Sequence, residues 1–275
     1  MTIDGLLAVH TYRTGPAGPV PLALLHGFPL DHRMWDDVAA LLPGDRTVLA
    51  PDLPGLGDSP SGDDVAGALA APAEPSIDAA ADAVAATLRA AGVERAVVAG
   101  LSMGGYVAMA LAERHPALVA GLGLLDTKST TDDDAARAGR LRIAAAVLAE
   151  GRVDAVLGMA RALLGETSRE RQPELVGLVE HWIRGQGPAG IAWSQRAMAA
   201  RPDRTAVLAG FAGPALVLVG AEDAIAPLAA AEHEAAALPD AVLVVVPRAG
   251  HLTSVENPEP VAAALDALAL RVDRA

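Results

Sequence analysis

The 275-residue chain contains no cysteine. Disulfide frameworks, thiolate zinc sites, iron–sulfur ligation and thiol catalysis are therefore excluded. Lysine is almost as scarce. Lys128 stands alone, in DTKST, and with no glycine run before it a phosphate-binding P-loop is excluded as well. Aromatic residues make up 3% of the chain, too few for a base-stacking platform. Basic side chains number 21 against 34 acidic ones, a formal net charge of −13. No basic cluster offsets that balance, so no nucleic-acid partner is expected. No apolar run approaches the roughly 20 residues that span a bilayer, and no membrane association is expected. The opening MTIDGLLAVHTYRTG has no basic segment ahead of a hydrophobic stretch. It does not read as a signal peptide, and a cytoplasmic protein is expected.

Hydrophobic residues, by contrast, are 52% of the chain, enough to bury a core without staples. Up to Asp126, short apolar runs alternate with helical patterns. Residues 3–13 read as an opening hairpin. PLALLHG (21–27), RTVLAPD (46–52), RAVVAG (95–100) and LVAGLGLLD (118–126) read as strands, with helices over 33–42, 75–92 and 103–115. Ser76 and Gly92 supply the start and stop signals of the 75–92 helix, and Pro116 stops the one before it. Residues 62–75 read as a mobile surface loop. Strands written as continuous apolar runs are buried on both faces, and strand–helix alternation implies a mostly parallel sheet. The alternation breaks over 127–202, where helical spacing recurs at 135–150, 153–164, 173–184 and 189–200. It resumes with PALVLVG (214–220), a helix at 227–237, AVLVVVP (241–247) and a helix from Pro258. The expected organisation is an α/β core, 1–126 and 203–275, with a helical insertion at 127–202.

Four stretches carry chemistry. GLSMGG (100–105) follows a strand and opens a helix, the setting of a G-x-S-x-G nucleophile elbow. Ser102 is the candidate nucleophile. Gly100 and Gly104 flank it because a Cβ would collide across the turn, and Gly105 lets the helix approach its neighbours. The Met103 N–H opens that helix, where an anion is favoured. HGFP (26–29) ends a strand, and its turn aims the Phe28 N–H over the sheet. Phe28 and Met103 together form a candidate two-donor oxyanion hole. His26 reads as structural, and His32 is placed to line a pocket. AGHLTSVENPE (249–259) puts His251 on a loop after the final strand, the position for a general base. GAEDAIAP (220–227) offers Asp223 to orient the imidazole, with Glu222 facing the other way. Asp126, ending the strand at 118–126, competes for that role. The loop setting and the order Ser…Asp…His favour Asp223. A fifth stretch, DLPGLGDSP (52–60), lacks the third glycine and the helix of a dinucleotide fingerprint. It reads as a structural loop whose aspartates bond local backbone.

HGFP, DLPGLGDS, GLSMGG, GAED and AGH, in that order, resemble the α/β-hydrolase superfamily over nearly the whole chain. The chain is most similar to its capped carboxylesterase and enol-lactonase-like branch, near the cofactor-free haloperoxidases. The resemblance implies an eight-stranded, mostly parallel sheet with a helical cap inserted after strand six, here 127–202. It also implies Ser102 as nucleophile, His251 as base, Asp223 as acid, and Phe28 and Met103 at the oxyanion positions. A serine nucleophile disfavours the aspartate-based dehalogenase and epoxide-hydrolase branches.

The expected activity is hydrolysis of a small or medium ester or lactone, with no metal or organic cofactor. Trp182, Trp193, Met159 and Met198 are candidates for an apolar pocket wall, although such residues on helices are more often plain core. A carbon–carbon bond hydrolase or a perhydrolase could use the same triad. A small-molecule receptor with an idle triad is the alternative from another class. Oligomeric state is not legible.

Overall fold

The computed structural model describes residues 6–72 and 74–275. Seven strands form one sheet: β1 (Val9–Arg13), β2 (Leu22–Leu25), β3 (Val48–Pro51), β4 (Ala96–Leu101), β5 (Val119–Leu125), β6 (Ala215–Gly220) and β7 (Ala241–Val246). Their spatial order is β1-β3-β2-β4-β5-β6-β7. β1 is antiparallel to β3 and every other pairing is parallel. This is the α/β-hydrolase fold, with seven strands among the described residues where eight were expected. The expected hairpin at 3–13 begins outside them. Its second half is β1, which pairs with β3 through Val9↔Pro51 and Thr11↔Leu49.

A 3-10 turn at His32–Trp35 leads into α1 (Asp36–Leu41). Next come α2 (Gly62–Ala68), α3 (Ile77–Ala90) and α4 (Met103–Arg114). Between β5 and β6 lie only helices: α5 (Asp134–Glu150), α6 (Asp154–Leu157), α7 (Met159–Ala162), α8 (Glu166–Arg171), α9 (Glu174–Arg184), α10 (Pro188–Ala200) and α11 (Thr205–Gly210). α12 (Leu228–Ala237), α13 (Thr253–Glu256) and α14 (Pro258–Asp273) complete the chain. No helix among the described residues is long and apolar enough to cross a membrane.

Local chemistry accounts for these elements. Ser76 caps α3 by accepting the Ala79 N–H at 3.1 Å, and Gly92 leaves the helix at φ +77°. β2, β3, β4 and β5 are buried along their whole length, as their unbroken apolar runs require. Two expectations need correction. The first half of the stretch expected to be a loop at 62–75 is α2. Ser61 caps that helix through the Asp64 N–H at 3.1 Å, and Gly62 packs so closely under Trp193 that a Cβ would lie 2.3 Å from the indole nitrogen. β7 reads as a buried strand but is the sheet's edge, with Val242, Leu243 and Val245 exposed.

All the parallel strands point their C-terminal ends to one edge. The turns after β2, β4, β5, β6 and β7 therefore share one rim, where ligand sites of such sheets form.

Candidate active site

β4 ends at Leu101 and α4 starts at Met103, so Ser102 alone makes the turn. Its φ is +54°, a left-handed backbone that costs a residue with a Cβ of order 1–3 kcal/mol. The surroundings enforce it. A Cβ on Gly100 would lie 2.1 Å from the Gly104 carbonyl oxygen, and one on Gly104 would lie 2.2 Å from that of Leu25. On Gly105 it would meet the Thr127 side chain at 2.6 Å. The Ser102 N–H donates to the Leu125 carbonyl, and Thr127 Oγ1 donates to the Ser102 carbonyl, both at 2.8 Å. The half-buried side chain is thus held at the rim.

His251 reaches it from the turn between β7 and α13. Its Nε2 lies 2.8 Å from Ser102 Oγ, and its Nδ1 lies 2.7 Å from Asp223 Oδ2. The other oxygen, Asp223 Oδ1, accepts the N–H groups of Ile225 (2.7 Å) and Ala226 (3.0 Å). Side-chain exposure is 3% for the imidazole and 0% for the carboxylate. With Nδ1–H donating to Asp223, Nε2 is left as an acceptor for the serine hydroxyl. The three residues singled out in sequence meet in one hydrogen-bonded chain.

Asp126, the rival carboxylate, makes no hydrogen bond to His251 among the described residues. Its Oδ1 accepts the Gly220 N–H at 2.8 Å, and its Oδ2 is 2.5 Å from Thr253 Oγ1. Burial, followed by the charge of Asp223, pushes its pKa well above the usual carboxylate range.

The turn after β2 runs alongside Ser102, where a Cβ on Gly27 would come within 3.6 Å of the serine Cβ. Neither the Phe28 N–H nor the Met103 N–H has an acceptor among the described residues. His26 is structural: Nε2 accepts the Leu53 N–H at 2.8 Å, and burial lowers its pKa. His32 faces Asp52 at 3.0 Å instead of a pocket. Burial opposes its protonation, but the Asp52 hydrogen bond and charge outweigh that and raise its pKa. Asp31, His32 and Asp52 bring potential ligand atoms within 4.8 Å of one another. Protein donors already hold the two carboxylates. Arg33 Nη2 and Gln186 Nε2 bond Asp31 Oδ2 at 2.7 and 2.6 Å, and the Asp58 N–H bonds Asp52 at 3.0 Å. An ion-pair cluster explains them without a metal. The 52–60 stretch is accordingly a structural loop.

The Trp182 ring lies under Arg33, 6.0 Å from its guanidinium carbon, and Trp193 covers Gly62. Sequence reasoning gave no role to Thr127 or Glu256, both of which brace the site. Thr127 reaches Ser102, 25 residues back, and Glu256 reaches Gly165, 91 residues back, so no local pattern reports either of these links.

The alpha/beta hydrolase family matches residues 22–264, and the chain belongs to it. Among curated relatives, it is 32% identical to a pimeloyl-[acyl-carrier protein] methyl ester esterase from Aromatoleum aromaticum, over 89% of this chain and 96% of that one. Among solved structures, it is similar to a thermophilic esterase from Thermogutta terrifontis. That match has 36% identity and a TM-score of 0.88, covering 97% of this chain and 94% of the other. The enol-lactonase from Burkholderia xenovorans LB400, at 24% identity and a TM-score of 0.77 over 93% and 94% of the two chains, shares the fold.

Proposed function

We propose that the protein hydrolyses small or medium carboxylic esters or lactones through an acyl-enzyme, with the helical segment 127–202 as a cap over the site. The observation that carries this reading is the chain Asp223 Oδ2–His251–Ser102 Oγ, with links of 2.7 and 2.8 Å. The esterase names of the relatives at 32% and 36% identity support the same class.

In this scheme Ser102 Oγ attacks the ester carbonyl carbon while His251 Nε2 takes its proton. Asp223 stays ionised, fixes the tautomer and stabilises the imidazolium. The carbonyl oxygen becomes an oxyanion, met by the free N–H groups of Phe28 and Met103. Collapse breaks the bond to the alcohol oxygen, which leaves with the proton from His251. Water, deprotonated by the same Nε2, then attacks the acyl-enzyme and releases the acid. The scheme draws on no metal or organic cofactor. Trp182 and Trp193 enter it as the packing that seats the cap.

Ser102→Ala tests the reading. Turnover of p-nitrophenyl butyrate should fall by about 10⁴–10⁶ with the thermal unfolding curve unchanged. Near-full turnover in the variant would refute the proposal.

A further inference from the structure

The loops that present Asp223 and His251 are tied to the helical segment by two carboxylates that the reaction does not use. Glu256 is buried. Its Oε1 accepts the N–H groups on both sides of His251, Gly250 at 2.9 Å and Leu252 at 3.0 Å. Its Oε2 accepts the N–H of Gly165 at 2.7 Å, from the turn before α8. Glu222, next to Asp223, accepts from Thr167 twice: the N–H at 2.8 Å and Oγ1 at 2.5 Å. The His251 N–H itself donates to the Leu163 carbonyl at 3.0 Å.

Backbone packing leaves this junction no slack. A Cβ on Gly165 would lie 2.7 Å from the Gly250 nitrogen, and one on Gly250 would lie 2.3 Å from the Gly165 nitrogen. α8 has no capping side chain of its own, so its first N–H groups depend on these two core carboxylates. The Glu222 N–H also donates to the Ala249 carbonyl at 2.8 Å, which joins the acid loop to the histidine loop. Residues 163–167, the acid loop and the histidine loop thus form one hydrogen-bonded junction.

We propose that Glu256 is a positioning residue for His251, and that Glu256 and Glu222 together make the seating of the cap set the alignment of the Asp223–His251 pair. The proposal rests on the ester-hydrolase reading above. Its distinctive consequence is that loosening the cap at this junction slows the chemical step. A cap that only walls the substrate would change KM instead. A displacement of about 1 Å in a catalytic group costs on the order of 10²-fold.

The test uses the full-length protein, p-nitrophenyl butyrate and a fluorophosphonate probe that labels active Ser102. Glu256→Ala should lower kcat by about 10- to 100-fold with KM within about threefold, and slow fluorophosphonate labelling in parallel. Glu256→Gln keeps an oxygen for Gly250 and Leu252 but offers no second acceptor to Gly165, so its kcat should fall between those of Glu256→Ala and the wild type. Glu222→Ala leaves the Asp223 bonds to Ile225 and Ala226 in place, and should still lower kcat more than it raises KM. Should Glu256→Ala fail to fold, the other two variants decide. Wild-type protein that neither turns over the ester nor takes the label overturns the ester-hydrolase reading. An active wild type, with variants that match it in kcat and labelling rate or differ only in KM, overturns the positioning role of Glu256 and Glu222.

Discussion

Glu234 lies on α12 at 0% exposure, with neither carboxyl oxygen hydrogen-bonded among the described residues. Burial alone pushes its pKa from 4.5 up to about 8. The consequence for stability has a definite sign. Below about pH 4.5 the group is neutral in both the folded and the unfolded chain, and no penalty attaches to its charge. As pH rises from 4.5 to about 8 the unfolded chain releases the proton while the folded chain retains it, so stability falls throughout that window. Above it both states are ionised and the loss is complete. At about 1.4 kcal/mol per pH unit, the interval from 4.5 to about 8 corresponds to roughly 5 kcal/mol at most. Glu234→Met has a similar shape and no charge to bury. It should raise Tm by on the order of 10 °C at pH 8.5, at about 2 °C per kcal/mol for a chain of this size. The gain should shrink steadily as the pH falls toward 4.5. Calorimetric melts of both proteins across this range provide the assay. Equal differences at the two ends of the range, or a lower Tm for the variant at pH 8.5, would refute the reasoning.

Other outcomes follow from the same geometry. Asp132 grips Arg201 through two bonds of 2.8 Å, and the Arg201 side chain is only 2% exposed. Asp132→Ala should therefore cost about 3–5 kcal/mol in denaturant titrations by stranding the guanidinium. Despite burial, the Arg201 and Arg140 hydrogen bonds hold the Asp132 carboxyl below its ordinary pKa, so its contribution should be present near neutrality and lost in strong acid. Gly104→Ala drives a Cβ to within 2.2 Å of the Leu25 carbonyl oxygen. It should abolish activity and lower Tm, measured together on purified protein. Asp223→Asn leaves the shape of the site but favours the wrong imidazole tautomer, and kcat should fall by about 10⁴.

Much of the rim was legible because its chemistry is local. The elbow is written in six consecutive residues, and each glycine in it meets a backbone or side-chain atom that would exclude a Cβ. His251 and Asp223 stand out because each follows a strand that ends at the same edge. What escaped the sequence depends on distance. Nothing around Glu256 reports Gly165, 91 residues away. Nothing in AVLVVV reveals that β7 has a neighbour on one side only. The 62–75 stretch, rich in alanine, glycine and aspartate, looked like loop because its Ser61 cap is a single residue and its packing partner, Trp193, arrives from α10.

The most direct measurement is to treat the protein with a fluorophosphonate probe and map the labelled peptide by mass spectrometry. The account predicts one adduct, on Ser102, formed rapidly by the wild type and suppressed in His251→Ala. An unlabelled Ser102 in folded wild-type protein, or labelling at the same rate without the histidine, would contradict it.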